Sequence, residues 1–432
     1  MITADGRFTT DGIYVETIGE GGLCILTPRP TILVPTEKKP LEAINVNVDY
    51  IAEYVRSGRA KSILALQSFF GWSRLSIRCL CLYVEAEEEA HLTELCSQQE
   101  LPVVLQTATF SSPAQDTARA KEILEPAAIS GVERSERKFM LRKNALPHRI
   151  PDRGVMHHGQ SVSLLGLESK GSVGVFLSPS GTEFKIYALT ACHVVPVHQI
   201  NERRVITPGG LDISSHLYWA LDHNYPNNEQ IASLLDQRDS PCGVVEYENI
   251  GSNAHGWRTD FGLIKLHDGL KGKNGTWNSY EVLREVCTAT EKYPFDFHGT
   301  NGVLGAHDPM AGEICYKDGA TTDISRGRIG PSEALQFVRG PAEIATEHSP
   351  GVGIGKLLTW YRMFKNDGNV CAEGDSGSAI FVPAPERGGW EWVGQLVSMM
   401  QVESGGVGLV VPASQVLKSL EEDTGFTWEL AR

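Results

Sequence analysis

The segment Glu373-Gly374-Asp375-Ser376-Gly377 combines a nucleophile with the backbone needed to use it. A serine hydroxyl is a weak nucleophile, and it needs an adjacent base and N–H donors aimed at the developing oxyanion. Glycines on both sides of Ser376 permit a turn that side chains would resist, and that turn could direct the N–H groups of Gly374 and Ser376 to one point. The pattern predicts acyl-transfer chemistry at Ser376, although an ordinary tight turn can have the same composition.

The base for Ser376 must lie earlier in the chain, because no histidine follows this residue. That order excludes the Ser-Asp-His arrangement of the α/β-hydrolases, whose second glycine is replaced here by Ser378. His193 is the best candidate, since it ends an apolar strand-like run, YALTAC, whose small residues leave room for a partner. The histidines without such a context are expected at the surface: His157, His158 and His198.

A carboxylate is needed to hold the tautomer of the histidine and to stabilise the imidazolium. Asp260 heads the apolar run DFGLIKL directly after the loop SNAHGWRT, which is a suitable place for a half-buried acid. The alternatives lie in stretches typical of loops or exposed helices: Asp222, Asp236 and Asp239. The thiols of Cys192 and Cys371 lie near His193 and Ser376, but neither is flanked by a glycine turn, so both are predicted to be packed thiols.

The segments TACHVV, DFGLIKL and GDSGSAIFV resemble the three signature segments of trypsin/chymotrypsin-like serine peptidases, in that family's order of His, Asp and Ser. The resemblance covers residues 156–425 and implies two packed six-stranded β-barrels, with the triad in the cleft between them. It places the oxyanion hole at Gly374 and Ser376. It also implies that VGQLVSMMQ holds the substrate backbone by β-augmentation. The residues implied to line the substrate site are Val370, Cys371, Ala372, Ser398, Met399 and Met400.

Departures from the digestive members of that family shape two further expectations. A cysteine precedes His193 instead of following it, and the paired disulfides cannot be reconstructed, which resembles intracellular fungal or microbial members. No acidic residue stands six positions before Ser376, where the trypsin-like branch carries an aspartate. We therefore expect a small or apolar residue before the cleaved bond.

Asp375 raises a question of regulation, because a carboxylate beside the nucleophile and removed from water needs a cationic or hydrogen-bonding partner. The resemblance offers a new N-terminus, freed by processing between Arg134 and Arg153, so that the N-terminal region would be a pro-domain. The alternative is a permanent lysine or arginine partner that requires no processing.

The order of sequence patterns predicts a mainly β protein, with two antiparallel β-barrels preceded by a smaller α/β domain. Residues 1–113 combine a strand at Leu75–Val84, a strand leading into a helix in LEAINVNVDYIAEYVRSG, and an amphipathic helix in EAEEEAHLTELCSQQE. Residues 114–155 form a charged linker. Residues 156–432 carry short β-like runs separated by turn residues, and a final helix through Val416 and Leu420 that ends near Gly425.

Composition narrows the class of protein. The 432 residues are 41% apolar with a net charge of −14, and they include no basic cluster with interleaved aromatic residues and no apolar run long enough to cross a bilayer. We expect a cytoplasmic protein that uses no metal or other cofactor and binds a protein or peptide substrate, but neither nucleic acid nor membrane. The N-terminal domain is expected to dock a partner or inhibit the β-barrels. The rival hypotheses are a catalytically silent peptide-binding protein of the same fold and a related esterase.

Overall fold

The structure, a computed structural model, describes the chain in segments, and the following account concerns these alone. They are residues 8–10, 13–18, 23–28, 49–60, 62–70, 77–88, 91–92, 103–110, 154–182, 185–197, 202–215, 235–274, 302–339, 352–362, 370–384, 387–402 and 405–431.

The N-terminal part contains two small sheets and one helix. An antiparallel sheet is formed by β1 (Phe8–Thr10), β2 (Ile13–Ile18) and β3 (Leu23–Pro28). Helix α1 (Asp49–Arg56) is followed by β4 (Ser62–Phe70), β5 (Ile77–Val84), β6 (Val103–Thr107) and β7 (Thr109–Phe110). The apolar face of α1 packs with β4 to β6 in one core, which confirms the predicted helix and the buried strand that ends at Val84. The predicted helix after Val84 lies mostly outside the described residues.

The first β unit follows the charged linker. Its strands are β8 (Val155–Met156), β9 (Ser161–Leu164), β10 (Gly171–Ser172), β11 (Phe176–Pro179), β12 (Tyr187–Thr190), β13 (Arg204–Ile206), β14 (Gly243–Ser252), β15 (Arg258–Leu266) and β16 (Lys271–Gly272). Except for the separate β8–β16 pair, they form a sheet in the order β10-β9-β13-β14-β15-β12-β11, with a C-terminal strand, β24 (Trp428–Leu430), added beside β11. A single 3-10 turn at Cys192–Val194 follows β12 and carries His193.

The second β unit is a closed antiparallel ring of six strands. These are β18 (Ile314–Gly319), β19 (Asp323–Arg339), β20 (Val352–Arg362), β21 (Ala379–Ala384), β22 (Gly389–Val402) and β23 (Gly405–Pro412). The order β18-β21-β22-β23-β20-β19 closes through the β18–β19 pair, and the short β17 (Val303–Ala306) pairs with the start of β22. Helix α2 (Ala413–Thr424) follows and ends at Gly425, whose φ of 72° caps it, as predicted.

The pairing confirms the predicted fold class, a mainly β chain with antiparallel sheets after a smaller α/β region. Of the two predicted barrels, the second closes into a ring, whereas the described strands of the first form one sheet whose outer strands, β10 and β24, do not pair with each other. The sheet of the second unit also continues into the N-terminal strands, because β19 pairs with β4 along Ala334–Val338 and β4 leads to β5 and β6. The proposed linker at 114–153 and its processing sites lie outside the described residues. Across the residues that the structure describes, none of the helices is long and apolar enough to span a membrane.

Candidate active site

His193 and Asp260 are in direct contact in the first β unit. The ring Nδ1 of His193 lies 2.8 Å from Oδ2 of Asp260, and the backbone N–H of His193 donates to Oδ1 at 3.2 Å. Asp260 is 5% exposed, so water does not compete for these bonds. The two contacts fix the ring and leave its Nε2 free to accept a proton, because Nδ1–H is donated to the carboxylate.

A glycine on β15 explains why the 3-10 turn that carries His193 can lie so close to Asp260. Gly262 follows Asp260 by two residues, so both lie on one face of the strand. A Cβ at Gly262 would stand 2.6 Å from Cγ2 of Val195, at the end of the turn. The glycine of DFGLIKL therefore makes room for the histidine turn, a role that the sequence pattern alone did not reveal.

Charges set the protonation of Asp260. Burial raises the pKa of this carboxyl group, but the contacts with His193 and the guanidinium of Arg258 outweigh burial and hold the pKa below its ordinary value. Arg258 is itself buried, and it precedes Asp260 by two residues on the same face of β15. Asp260 is therefore ionised at neutral pH.

Ser376 lies on a turn where the two β units meet. Gly377, with a φ of 93°, is so enclosed that a Cβ there would lie 2.3 Å from the carbonyl oxygen of Ser172 and 2.5 Å from Oγ1 of Thr190. The N–H of Ser172 also donates to the carbonyl oxygen of Ser376 at 2.8 Å. Because Thr190 precedes His193 by three residues, these contacts bring the serine turn to the end of the strand that leads to the histidine.

Hydrogen bonds from the β18–β19 hairpin and from β10 fix the peptide units around Gly374. The hydroxyl of Thr321 donates to the carbonyl oxygen of Glu373 at 2.7 Å, and the hydroxyl of Ser172 donates to that of Gly374 at 3.0 Å. The N–H and C=O of a trans peptide point in opposite directions, so the bond to Glu373 also fixes the direction of the Gly374 N–H. Within the described part of the chain, neither Gly374 nor Ser376 donates its N–H to an acceptor.

Asp375 has a permanent cationic partner. Its side chain and that of Lys317 are both fully buried, and Nζ of Lys317 lies 2.9 Å from Oδ2. The carboxylate also accepts hydrogen bonds from the Thr322 hydroxyl at 2.7 Å and from the Thr321 N–H at 2.9 Å. Burial raises the pKa of Asp375, but the ammonium and these donors hold it below its ordinary value. The lysine alternative of the sequence analysis is the arrangement observed.

Lys317→Met is expected to reduce the free energy of unfolding by about 3–5 kcal/mol at pH 7, because it leaves the Asp375 carboxylate buried without a cation. Urea denaturation measures this loss. The matched control is the double variant Lys317→Met/Asp375→Asn, which removes both charges and should recover most of the stability. Equal stability of Lys317→Met and the unmodified protein at pH 7 would contradict this account of the ion pair.

The same pair predicts a pH dependence with a defined sign. In the unmodified protein the lowered pKa of Asp375 contributes stability above about pH 4, the ordinary range of the group, and this is lost as the pH falls through the lowered value. In Lys317→Met the buried carboxyl group has a raised pKa, so the penalty is present at neutral pH and fades toward about pH 4. The stability difference between the two proteins should therefore narrow on acidification.

The alternative site residues of the sequence analysis are placed elsewhere. Asp236 and Asp239 are exposed, and Asp239 pairs with Arg238. The expectation that His158 lies at the surface was wrong: it is 3% exposed, its Nδ1 lies 2.6 Å from the carbonyl oxygen of Gly174, and its ring packs against two phenylalanines. His157 is half-buried, and Asp222 and His198 lie outside the described residues.

The residues predicted to line a substrate site divide into two groups. Ala372, Ser398 and Met399 are half-buried, and so they remain partly open to a ligand. The side chains of Val370, Cys371 and Met400 are at most 2% exposed, so they face the interior. The predicted residues are neighbours in the sequence, and the sequence alone did not tell which of them the fold covers.

The thiols near the site are packed, as predicted. Cys192 and Cys371 are both buried and free, and burial raises the pKa of each thiol, for Cys371 to about 12. Neither is a thiolate at neutral pH, so neither is a competing nucleophile. Among the described residues no group of three or more His, Cys, Asp or Glu side chains is arranged to hold a metal ion.

Comparison with known proteins adds neither a family nor a function. No protein-family model matches the sequence, and no curated protein is significantly similar to it. Similar solved structures include protease A of Thermobifida fusca, with 17% identity, a TM-score of 0.35, and coverage of 64% of this chain and 100% of that one. The Nocardiopsis protease has 13% identity, a TM-score of 0.35, and coverage of 65% and 100%. The chymotrypsin of Cellulomonas bogoriensis has 16% identity, a TM-score of 0.33, and coverage of 63% and 97%. At such values these similarities assign no activity to this chain.

Proposed function

We propose that this chain is a serine endopeptidase that cleaves peptide bonds through an acyl-enzyme, with Ser376 as nucleophile, His193 as base and Asp260 as the residue that orients the base. The observation that carries the proposal is the pair of contacts from His193 to the buried Asp260, at 2.8 and 3.2 Å, beside the turn that bears Ser376. The contact of the ring orients the imidazole, and the backbone contact holds the same carboxylate against the turn that carries the histidine.

In the proposed reaction His193 takes a proton and then returns it in each of two steps, acylation and deacylation. The hydroxyl of Ser376 attacks the scissile carbonyl carbon while Nε2 of His193 takes its proton, and His193 then gives that proton to the leaving amine. A water molecule then attacks the acyl-enzyme in the same way, with His193 again as base and then acid, and the acyl group is released from Ser376. Asp260 stays ionised throughout, and its negative charge stabilises the imidazolium. The N–H groups of Gly374 and Ser376 stabilise the oxyanion, and that role is supported because neither has an acceptor among the described residues.

The fixed surroundings of Gly374 and Asp375 support a site that is formed without processing. The partner that a new N-terminus would supply is supplied by Lys317, and the hairpin residue Thr321 holds the adjoining peptide. A donor that is already aligned needs no reorganisation when charge develops on the substrate. Cleavage of the chain between residues 134 and 153 is accordingly not part of the proposal.

The rival hypothesis of a silent peptide-binding protein requires that the triad be distorted by inserted segments. The contacts of His193 with Asp260 argue against distortion of that pair. Among the described residues the Ser376 hydroxyl makes no hydrogen bond to His193, so the pairing of nucleophile and base is the part of the proposal that the test must establish. The test of the proposed function is incubation of the purified chain with a mixed peptide library, in which new amino termini should appear, predominantly after small or apolar residues. Turnover of esters without turnover of peptides would instead identify an esterase.

A further inference from the structure

Strand β22 has one edge that passes directly beside the serine turn. Its other edge is covered by β23 from Gly394 to Val402. On the first edge, the N–H of Gly377 donates to the carbonyl oxygen of Leu396 at 2.7 Å, and the N–H of Leu396 donates to that of Ser378 at 2.8 Å. The next described strand on this edge pairs at Met400. The gap that begins at Val397 is therefore where an extended peptide could be added next to Ser376.

The N-terminal strand β7 occupies the same edge immediately after this gap. Phe110 pairs with Met400 and Thr109 with Gln401, in antiparallel register. Since Met400 also pairs with Val407 of β23 and a strand has only two edges, β7 lies on the edge that leads to Ser376. The direction of β7 runs from Gln401 toward the serine turn. An added antiparallel substrate strand would run the same way, and Leu396 and Met400 are four residues or roughly 13 Å apart.

The pairing of β7 with β22 is supported by packing in the apolar core. Phe110 is 8% exposed and Met400 fully buried, and both belong to one apolar cluster that includes Val397. The N–H of Ala108 donates to the carbonyl oxygen of Val84 at 2.7 Å, which ties β7 to the sheet of the N-terminal unit. Thr109, by contrast, is exposed. One side chain of the strand therefore anchors it, while the other faces away.

We propose that β7 is an internal occupant of the peptide-binding edge: Phe110 takes the place of the substrate residue that would lie opposite Met400. This inference rests on the proposed peptidase function. Its consequence is that a peptide extending more than about three residues before the cleaved bond must displace β7. A small reagent that reaches only Ser376 need not displace it.

The test compares two reagents on one protein: an alkyl fluorophosphonate without a peptide, and a tetrapeptidyl diphenyl phosphonate with an apolar residue next to phosphorus. The quantity measured is the labelling rate of the peptidyl phosphonate divided by that of the alkyl fluorophosphonate. A misfolded fraction cancels in this ratio, because both reagents need the same active molecules. If β7 covers the edge for at least nine-tenths of the time, Phe110→Ala should raise the ratio by about tenfold or more. The matched control Thr109→Ala, on the same strand, should leave it unchanged.

The outcomes separate this inference from the function on which it rests. If both reagents label Ser376 and Phe110→Ala leaves the ratio unchanged, the occupancy by β7 is overturned and the peptidase function stands. If neither reagent labels the unmodified protein or Phe110→Ala, the proposed function fails, and this inference fails with it. An equal rise of the ratio in Thr109→Ala would also overturn the role of Phe110 as the anchor.

Discussion

Replacing Ser376 with alanine is expected to lower kcat for peptide hydrolysis by about 10⁶-fold, while the residual rate still exceeds that of water because binding and the oxyanion donors remain. The side chain is half-buried and no described hydrogen bond uses its hydroxyl, so its removal should leave the fold intact. Kinetics on a peptide taken from the library, with urea denaturation in parallel, measure the two quantities separately.

The control for Ser376→Ala is Cys192→Ala, which removes the buried thiol beside His193. This variant should retain most of the activity, because burial raises the pKa of the thiol and excludes it as a nucleophile. Loss of hydrolysis in Cys192→Ala together with full activity in Ser376→Ala would assign the nucleophile to the thiol and refute the proposed mechanism.

Asp260→Asn is expected to reduce kcat by about 10⁴-fold, because an amide can donate to Nδ1 of His193 and favour the tautomer that cannot accept the serine proton. The effect should appear in kcat more than in KM, since Asp260 is buried behind the ring and is not placed to touch substrate. The rate must be expressed per Ser376 that reacts with the alkyl fluorophosphonate, because the variant also removes a charge near the buried Arg258.

The matched control for this variant is Glu246→Gln on the neighbouring strand β14. Glu246 accepts a hydrogen bond from the hydroxyl of Tyr187 at 3.0 Å and lies near Lys265, but makes no described contact with His193. The same loss of one negative charge should therefore change kcat little. Equal losses of kcat in Glu246→Gln and Asp260→Asn would show that net charge, and not the bond to His193, is responsible.

The parts of the site that could be predicted from the sequence are those encoded locally. Each of Ser376, His193 and Asp260 stands in a short segment whose own residues carry the signal, such as the glycines around the serine and the apolar run before the histidine. The strand pattern after residue 155 likewise rests on local alternation and turn residues. The final helix was predictable for the same reason, because its apolar spacing and the glycine that ends it are adjacent in the chain.

The residues that hold the site were not predictable, because their roles arise from contacts between distant positions. Lys317 lies 58 residues from Asp375, and its strand, ICYKDG, carries no sign of that distant partner. Thr321 is an ordinary turn residue until its hydroxyl is seen to meet Glu373. The contact of Phe110 with Met400 on the edge of β22 joins residues 290 positions apart, and it depends on the β4–β19 pairing. Sequence patterns of single elements contain no information on such pairings.

The most direct measurement of the central claim is the mass and position of the adduct formed by an alkyl fluorophosphonate, because phosphonylation requires an activated serine and not merely a serine on a turn. We predict one adduct per active chain, mapped by peptide mass spectrometry to Ser376, and no adduct at this position when His193 is replaced by alanine. An adduct on another residue, or equal labelling of Ser376 with and without His193, would contradict the account.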